Sequence, residues 1–241
     1  MIPLLIYLII LVVICRLSAR TTTTTRRPSS PWGGSASGSG TSLGGTDEKF
    51  GSSAGCPRSV DAYTPSTSFS YLFEGSKVYT ISGQRVIKSQ PIRDLFQNAP
   101  SSVQGAVWNP ISGRVVLFSG SQVYGYLFNR HNLKFDLDNG FPKQLPRDVP
   151  FRPTGALRWV NGHQVVLSES GQFVVYDENW NKVTLTSRID NYFENLPYNV
   201  KGTELAAGMS LTGFTSNSVF TYDSRAKRVT NETPLSRYLQ C

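Results

Sequence analysis

The chain runs to 241 residues, with 24 Lys and Arg against 16 Asp and Glu for a formal charge of +8, and holds only two histidines and three cysteines. No cysteine has another Cys or a His at metal-ligand spacing, which excludes a zinc site of the usual pattern. Residues 56–241 suffice for one domain with a substantial core and are rather few for two.

Residues 2–15 are almost wholly apolar, and small residues at Ser18 and Ala19 follow at a plausible cleavage point. This reads as a secretory leader over residues 1–19. A permanent anchor is the alternative, but it needs roughly 20 apolar residues. Arg16 and Arg20 follow the apolar run and no basic residue precedes it, an unusual flank for a leader. Cleavage removes Cys15 and leaves no stable membrane insertion. Cys56 and Cys241 then remain, and an even count in a secreted chain predicts a disulfide, with free thiols as the alternative. Residues 20–55 are dominated by Thr, Ser and Gly and carry too little apolar surface to offset their conformational entropy. They are expected to be a disordered linker, or an O-glycosylated stalk around Pro28 and Pro31.

Between the two cysteines the sequence repeats. Ala62, Ala106, Ala156 and Ala206 fall 44, 50 and 50 residues apart. A second landmark follows each alanine: Leu72-Phe73-Glu74-Gly75-Ser76-Lys77-Val78-Tyr79, then Leu117-Phe118-Ser119-Gly120-Ser121-Gln122-Val123-Tyr124, then Leu167-Ser168-Glu169-Ser170-Gly171-Gln172-Phe173-Val174. The fourth copy is degraded, with Ser216-Asn217-Ser218-Val219-Phe220 where the turn and second strand belong. Repeats of this length, each a short run of strands, mean a propeller or an array. In the second repeat Gly105 to Trp108, Arg114 to Phe118 and Val123 to Tyr126 read as strands, parted by turns rich in Gly, Pro and Asn. Rim segments at 91–96, 141–145 and 188–193 read as helical turns. A small residue opening each repeat suits a propeller, whose innermost strands converge on a narrow axis; ordinary buried alanines of a β-sandwich are the alternative.

Four repeats of 45 to 50 residues, the opening Val60-Asp61-Ala62-Tyr63, the segment from Leu72 to Tyr79 and Gly140-Phe141-Pro142-Lys143 resemble the hemopexin-like domain. The resemblance covers residues 56–241. It is strong in the first two blades, fair in the third and poor in the fourth. It implies an all-β, four-bladed propeller with blades at about 56–100, 101–150, 151–198 and 199–241, closed from first blade to last by Cys56–Cys241. It also implies a central channel in which backbone carbonyls at Asp61, Gly105, Gly155 and Leu205 hold a structural calcium, an ion that accepts neutral oxygens. Haem carriage, with His131 or His163 as axial ligand, is the runner-up function.

Nothing in the chain resembles the zinc protease to which such domains are joined in matrix metalloproteases: a His-Glu-x-x-His helix is missing, as is a Gly-x-Ser-x-Gly elbow. The expectation is a secreted, non-enzymatic interaction module for an extracellular protein or a sulfated glycan, with nucleic acid excluded as a partner. From Cys56 onward 19 basic residues stand against 14 acidic, giving +5. The basic residues cluster at Arg147, Arg152 and Arg158, and again at Arg225, Lys227, Arg228 and Arg237, the candidate glycan-binding set. Scattered solvated side chains are the alternative. Asn231-Glu232-Thr233 is a glycosylation sequon, followed by an unfavourable Pro234. Tyr126, Arg130, Arg158 and Trp180 are taken as exposed recognition residues.

Overall fold

The structure, a computed structural model, describes residues 55–177, 179–206 and 209–241. The leader at 1–19 and the linker at 20–55, apart from Gly55, lie outside the described residues.

Four antiparallel sheets follow one another in chain order, each with its strands in sequential order. Blade 1 comprises β1 (Ala62–Pro65), β2 (Ser70–Glu74), β3 (Lys77–Ser82) and β4 (Arg85–Pro91). Blade 2 comprises β5 (Gly105–Asn109), β6 (Arg114–Ser119), β7 (Gln122–Asn129) and β8 (Lys134–Leu137), with β9 (Lys143–Gln144) added against β7. Blade 3 is β10 (Gly155–Arg158), β11 (Gln164–Leu167), β12 (Gln172–Tyr176) and β13 (Val183–Arg188). Blade 4 is β14 (Gly202–Leu205), β15 (Ser210–Phe214), β16 (Ser218–Asp223) and β17 (Arg228–Pro234). The opening strands β1, β5, β10 and β14 pack around one axis, each against its two neighbours. This is a four-bladed propeller.

Local chemistry explains the meanders. Glu74 pairs with Lys77 and Ser119 with Gln122, so Gly75-Ser76 and Gly120-Ser121 are two-residue hairpin loops. Gly75 and Gly120 take φ of 54° and 58°, a left-handed conformation that glycine adopts at little cost. The fourth blade uses a different device. Thr215 Oγ1 accepts the Ser218 N–H at 3.0 Å, and the Thr215 N–H reaches Ser218 O at 2.9 Å. A hydroxyl-capped turn therefore replaces the glycine turn, and the blade that looks degraded in sequence has all four strands.

Three rim segments are helical turns: α1 (Ile92–Leu95), α2 (Ile189–Tyr192) and α3 (Leu235–Tyr238). Residues 141–145, expected as another, instead supply β9, because Val123 pairs with Lys143 and Gln122 with Gln144. Ala206 does not open an inner strand either. It follows β14, and its N–H closes the hairpin onto Ser210 O at 2.9 Å; the small residue opening blade 4 is Gly202.

Burial divides into four apolar clusters, one at each joint. Phe73, Phe96, Leu117, Tyr126 and Phe135 join blades 1 and 2. Phe118, Val166, Tyr176 and Trp180 join blades 2 and 3. Leu167, Phe173, Phe193 and Phe220 join blades 3 and 4. Val60, Tyr63, Leu72, Phe214 and Leu239 join blade 4 back to blade 1. The inner strands of each sheet are thus buried on both faces and read as near-continuous apolar runs, whereas the outermost strands β4, β13 and β17 are polar and largely exposed.

The last joint is where the ring closes. The Val60 N–H reaches Ser216 O of blade 4 at 2.8 Å, while Val86 of blade 1 donates to Gln240 O at 2.9 Å and Gln240 donates to Gln84 O at 2.8 Å. Cys56 and Cys241 are bridged, with Cα atoms 5.6 Å apart. Glu74 ties the N-terminal segment to blade 1 from the same side. One carboxylate oxygen accepts the Arg58 and Ser59 N–H groups at 2.9 and 3.0 Å, and the other accepts the Tyr79 hydroxyl at 2.8 Å. Partial burial raises the pKa of this carboxyl, but the bonds from Tyr79, Arg58 and Ser59 outweigh it and hold the group below its ordinary value. A depressed folded pKa means that the strap's contribution is present above the unfolded value and is lost as pH falls through the folded one. Glu74→Gln is therefore expected to flatten the loss of thermal stability as the pH is lowered below the ordinary carboxylate range. Melting curves in which the variant and the native chain fall in parallel would rule this out.

Candidate functional site

Hydrogen bonding fixes which residues are equivalent at the channel mouth. The N–H groups of Asp61, Gln104, Thr154 and Lys201 each donate to the second strand of their own blade, at Phe73, Phe118, Leu167 and Phe214. Asp61 therefore corresponds to Gln104, Thr154 and Lys201. Gly105 and Gly155 sit one residue further on, paired like Ala62 with the second strand. Leu205 ends β14 and is 46% exposed, three residues beyond Gly202. The set Asp61, Gly105, Gly155 and Leu205 is thus out of register, and the structure does not bring it to one level of the channel.

The true ring has its own pattern. In three blades the side chain caps the turn after the second strand: Asp61 Oδ2 accepts the Gly75 N–H at 2.7 Å, Gln104 Oε1 accepts Gly120 N–H at 2.8 Å, and Thr154 Oγ1 accepts Glu169 N–H at 2.9 Å. Lys201 breaks it. Its side chain is only 11% exposed, and its ammonium donates to Thr154 O at 3.1 Å and to the Glu169 carboxylate at 2.7 Å. Sequence reading missed Lys201, although a signal was present: the capped turns lie 14 to 16 residues after the capping residue, and counting back from the turn at 215–217 arrives near Lys201.

Toward the other ends of the inner strands a cavity of about 200 Å³ is lined by all four, including Thr64, Trp108, Arg158, Thr203 and Glu204. Glu204 accepts the Tyr63 hydroxyl at 2.5 Å. Burial, with this carboxylate adding to it, pushes the Tyr63 pKa well above its ordinary value. The buried Thr203 Oγ1 and Trp108 Nε1 have no protein partner among the described residues. Nor does any cluster of three His, Cys, Asp or Glu side chains stand ready for a metal among them.

Two of the four expected recognition residues are internal. Tyr126 is fully buried at the first joint and Trp180 is 3% exposed, its ring packed on Phe118 and Tyr176. Arg130 is exposed in the β7–β8 turn, and Arg158 is half-buried at the axial cavity, apart from the exposed Arg147 and Arg152. His131 is exposed in the same β7–β8 turn, and the exposed His163 lies just ahead of β11, its Nδ1 at 3.2 Å from Asn161. The two histidines belong to different blades.

The basic set divides as well. Arg225, Lys227 and Arg228 share the β16–β17 turn, whereas Arg237 lies in α3, past the far end of a strand that spans roughly 20 Å. The Lys227 ammonium is 3.1 Å from Glu194. Asp223 caps the same turn through the Ala226 and Arg225 N–H groups, which hold its carboxyl below the usual range. Asn231 is exposed on β17, the outermost strand of its blade.

The outer hairpin of blade 2 carries a feature that composition does not reveal. Leu127, Phe128 and Leu133 are 38%, 44% and 67% exposed. Phe128 rests edge-on against buried Phe135 at 5.1 Å. Leu133 takes φ 56°, a strained conformation for a leucine. Single exposed apolar side chains need no explanation, but three fall on this one hairpin, with the consecutive Leu127 and Phe128 on opposite faces of β7.

No protein-family model matches the chain. The chain is 52% identical over 186 residues to matrix metalloproteinase-C of Caenorhabditis elegans; the match covers 77% of this chain and 32% of that protein. It therefore spans about a third of that relative's length. Among solved structures, the hemopexin fold protein CP4 from cow pea superposes with a TM-score of 0.59 at 11% identity, covering 74% of this chain and 94% of that one. A plant albumin from Cicer arietinum, described as showing hemagglutination, gives 0.63 at 12% identity, covering 75% and 95%. These two likenesses establish the fold.

Proposed function

Because the chain carries a four-bladed propeller of the hemopexin-like class, we propose that it is a non-enzymatic recognition module of the extracellular space, binding a protein partner through the outer hairpin of blade 2. Propellers of this class generally serve binding rather than catalysis. The kinship to a matrix metalloproteinase supports an extracellular setting, and among the described residues no helix is long and apolar enough to cross a membrane. The observation that carries the choice of surface is the exposure of Leu127, Phe128 and Leu133 on this one hairpin. A protein is favoured over a sulfated glycan because the basic set is divided and Lys227 already faces Glu194.

The test is affinity capture from an extracellular matrix extract with elution by rising salt, comparing the native chain with Phe128→Asp/Leu133→Asp and with Arg225→Glu/Arg228→Glu. Retention through high salt that disappears only in the first variant is expected. Retention abolished at modest salt, or only in the second variant, would instead assign the surface to sulfated glycans. Leu133→Gly separates strain from contact. It should raise stability by about 1 kcal/mol by relieving the left-handed leucine while weakening capture; lower stability would overturn the reading of strain.

A further inference from the structure

We infer that the Lys201 ammonium takes the place of a metal ion at the mouth of the axial channel, so that this propeller closes without calcium. Four residues enter the inner strands at equivalent positions: Asp61, Gln104, Thr154 and Lys201. Their carbonyls and side-chain oxygens are the ligands that a channel cation would require. Calcium takes roughly six to eight oxygens, and the ring does not supply them.

The side chains are already committed. Asp61 Oδ2, Gln104 Oε1 and Thr154 Oγ1 each accept a turn N–H at 2.7 to 2.9 Å. Two of the carbonyls are engaged as well. Lys201 O accepts the Tyr63 N–H across the joint at 3.1 Å, and Thr154 O receives the Lys201 ammonium itself. The ring therefore has a resident cation on one of its own carbonyls. Glu169 fixes it there at 2.7 Å, with the lysine side chain only 11% exposed. Withdrawing the ammonium to admit a divalent ion would leave a largely buried charge unpaired, and keeping both would set like charges side by side in a partly dehydrated space.

The geometry also gives the lysine the work a channel ion would perform. It starts from blade 4 and binds the start of the inner strand and the β11–β12 turn of blade 3, clamping adjacent blades at the axis. A methionine of similar length at position 201 removes the ammonium charge and both bonds.

The test compares melting temperatures of the full chain in excess EDTA and in millimolar calcium, for the native protein, Lys201→Met and Glu169→Gln. The native chain is expected to melt at the same temperature in both buffers and to give no heat on calcium titration. Both variants are expected to melt lower, Lys201→Met the more so. A native melting temperature that drops on chelation would overturn the inference, as would a saturable calcium isotherm for the native chain. A Lys201→Met variant as stable as the native chain would overturn it too. If Lys201→Met fails to fold, the native comparison and the Glu169→Gln melt still decide the matter.

Discussion

Cys56→Ser or Cys241→Ser is expected to lower the stability of the propeller by about 5 kcal/mol in the loop-closure treatment, measured by denaturant unfolding against the native chain. The size follows from a sequence separation of 185 residues, because the bridge restrains nearly the whole domain in the unfolded state. Among the described residues, the bridge is also the one covalent element that closes the joint between blades 4 and 1. The other ties there include the Val60, Leu72, Phe214 and Leu239 cluster, the backbone bonds of Val60, Tyr63, Val86 and Gln240, and the Tyr63 hydroxyl on Glu204. Loss of the bridge should consequently open this joint first, seen as faster amide exchange at Val86 and Gln240 than at Val166 or Val174. A loss under about 1 kcal/mol would mean that the unfolded chain is already compact enough to hold its ends together.

Gly155→Ala and Gly202→Ala are expected to cost roughly 3 kcal/mol or more each, at the upper end of overpacking effects. A Cβ at Gly155 would stand 1.9 Å from Val200 O, and one at Gly202 would stand 1.9 Å from Tyr63 O. Both neighbours are backbone, so neither can swing aside as a flexible side chain would. Gly105→Ala is the internal comparison: its Cβ would meet Gly155 C at 3.2 Å and a Phe118 ring atom at 3.3 Å, which calls for a shift of tenths of an ångström. Chemical denaturation should rank the first two well above the third. Three equal losses would show that general loss of glycine flexibility, and not close approach of inner strands, sets the cost.

The same close approach explains what the sequence conveyed and where it misled. The Leu-Phe-x-Gly-Ser hairpins and the tyrosine-rich strands announced the blades, because two-residue turns and doubly buried strands leave local signatures. Alignment on alanines then slipped. Pairing aligns Ala62 with Gly105, Gly155 and Gly202, so alignment on alanine displaced blades 2 and 3 by one residue and blade 4 by four. Position 62 tolerates a methyl group where the others meet a neighbouring backbone. The fourth blade looked degraded because Thr215 and Ser218 build its turn with hydroxyl bonds.

Side chains whose environment comes from distant sequence were not legible. Trp180 sits in a turn with φ 58°, a context that suggests exposure, yet its ring fills the joint between blades 2 and 3 beside Phe118. Tyr126 lies in a strand whose next two residues face outward, and it is buried only because Phe96 arrives from blade 1. Lys201 resembles any solvated lysine until Glu169, 32 residues earlier, is folded against it. The strain at Leu133 is a backbone property that no residue pattern announced.

Recognition through the outer hairpin of blade 2 would shield that hairpin from solvent in the complex. Amide hydrogen exchange of the chain, alone and in complex with its captured partner, reads this shielding out residue by residue. Protection is predicted over β7, β8 and the turn between them, residues 122–137, with the β16–β17 turn at 223–228 unchanged. Protection confined to 223–228, with the blade 2 hairpin exchanging as it does in the free chain, would instead place the interface on the basic turn of blade 4.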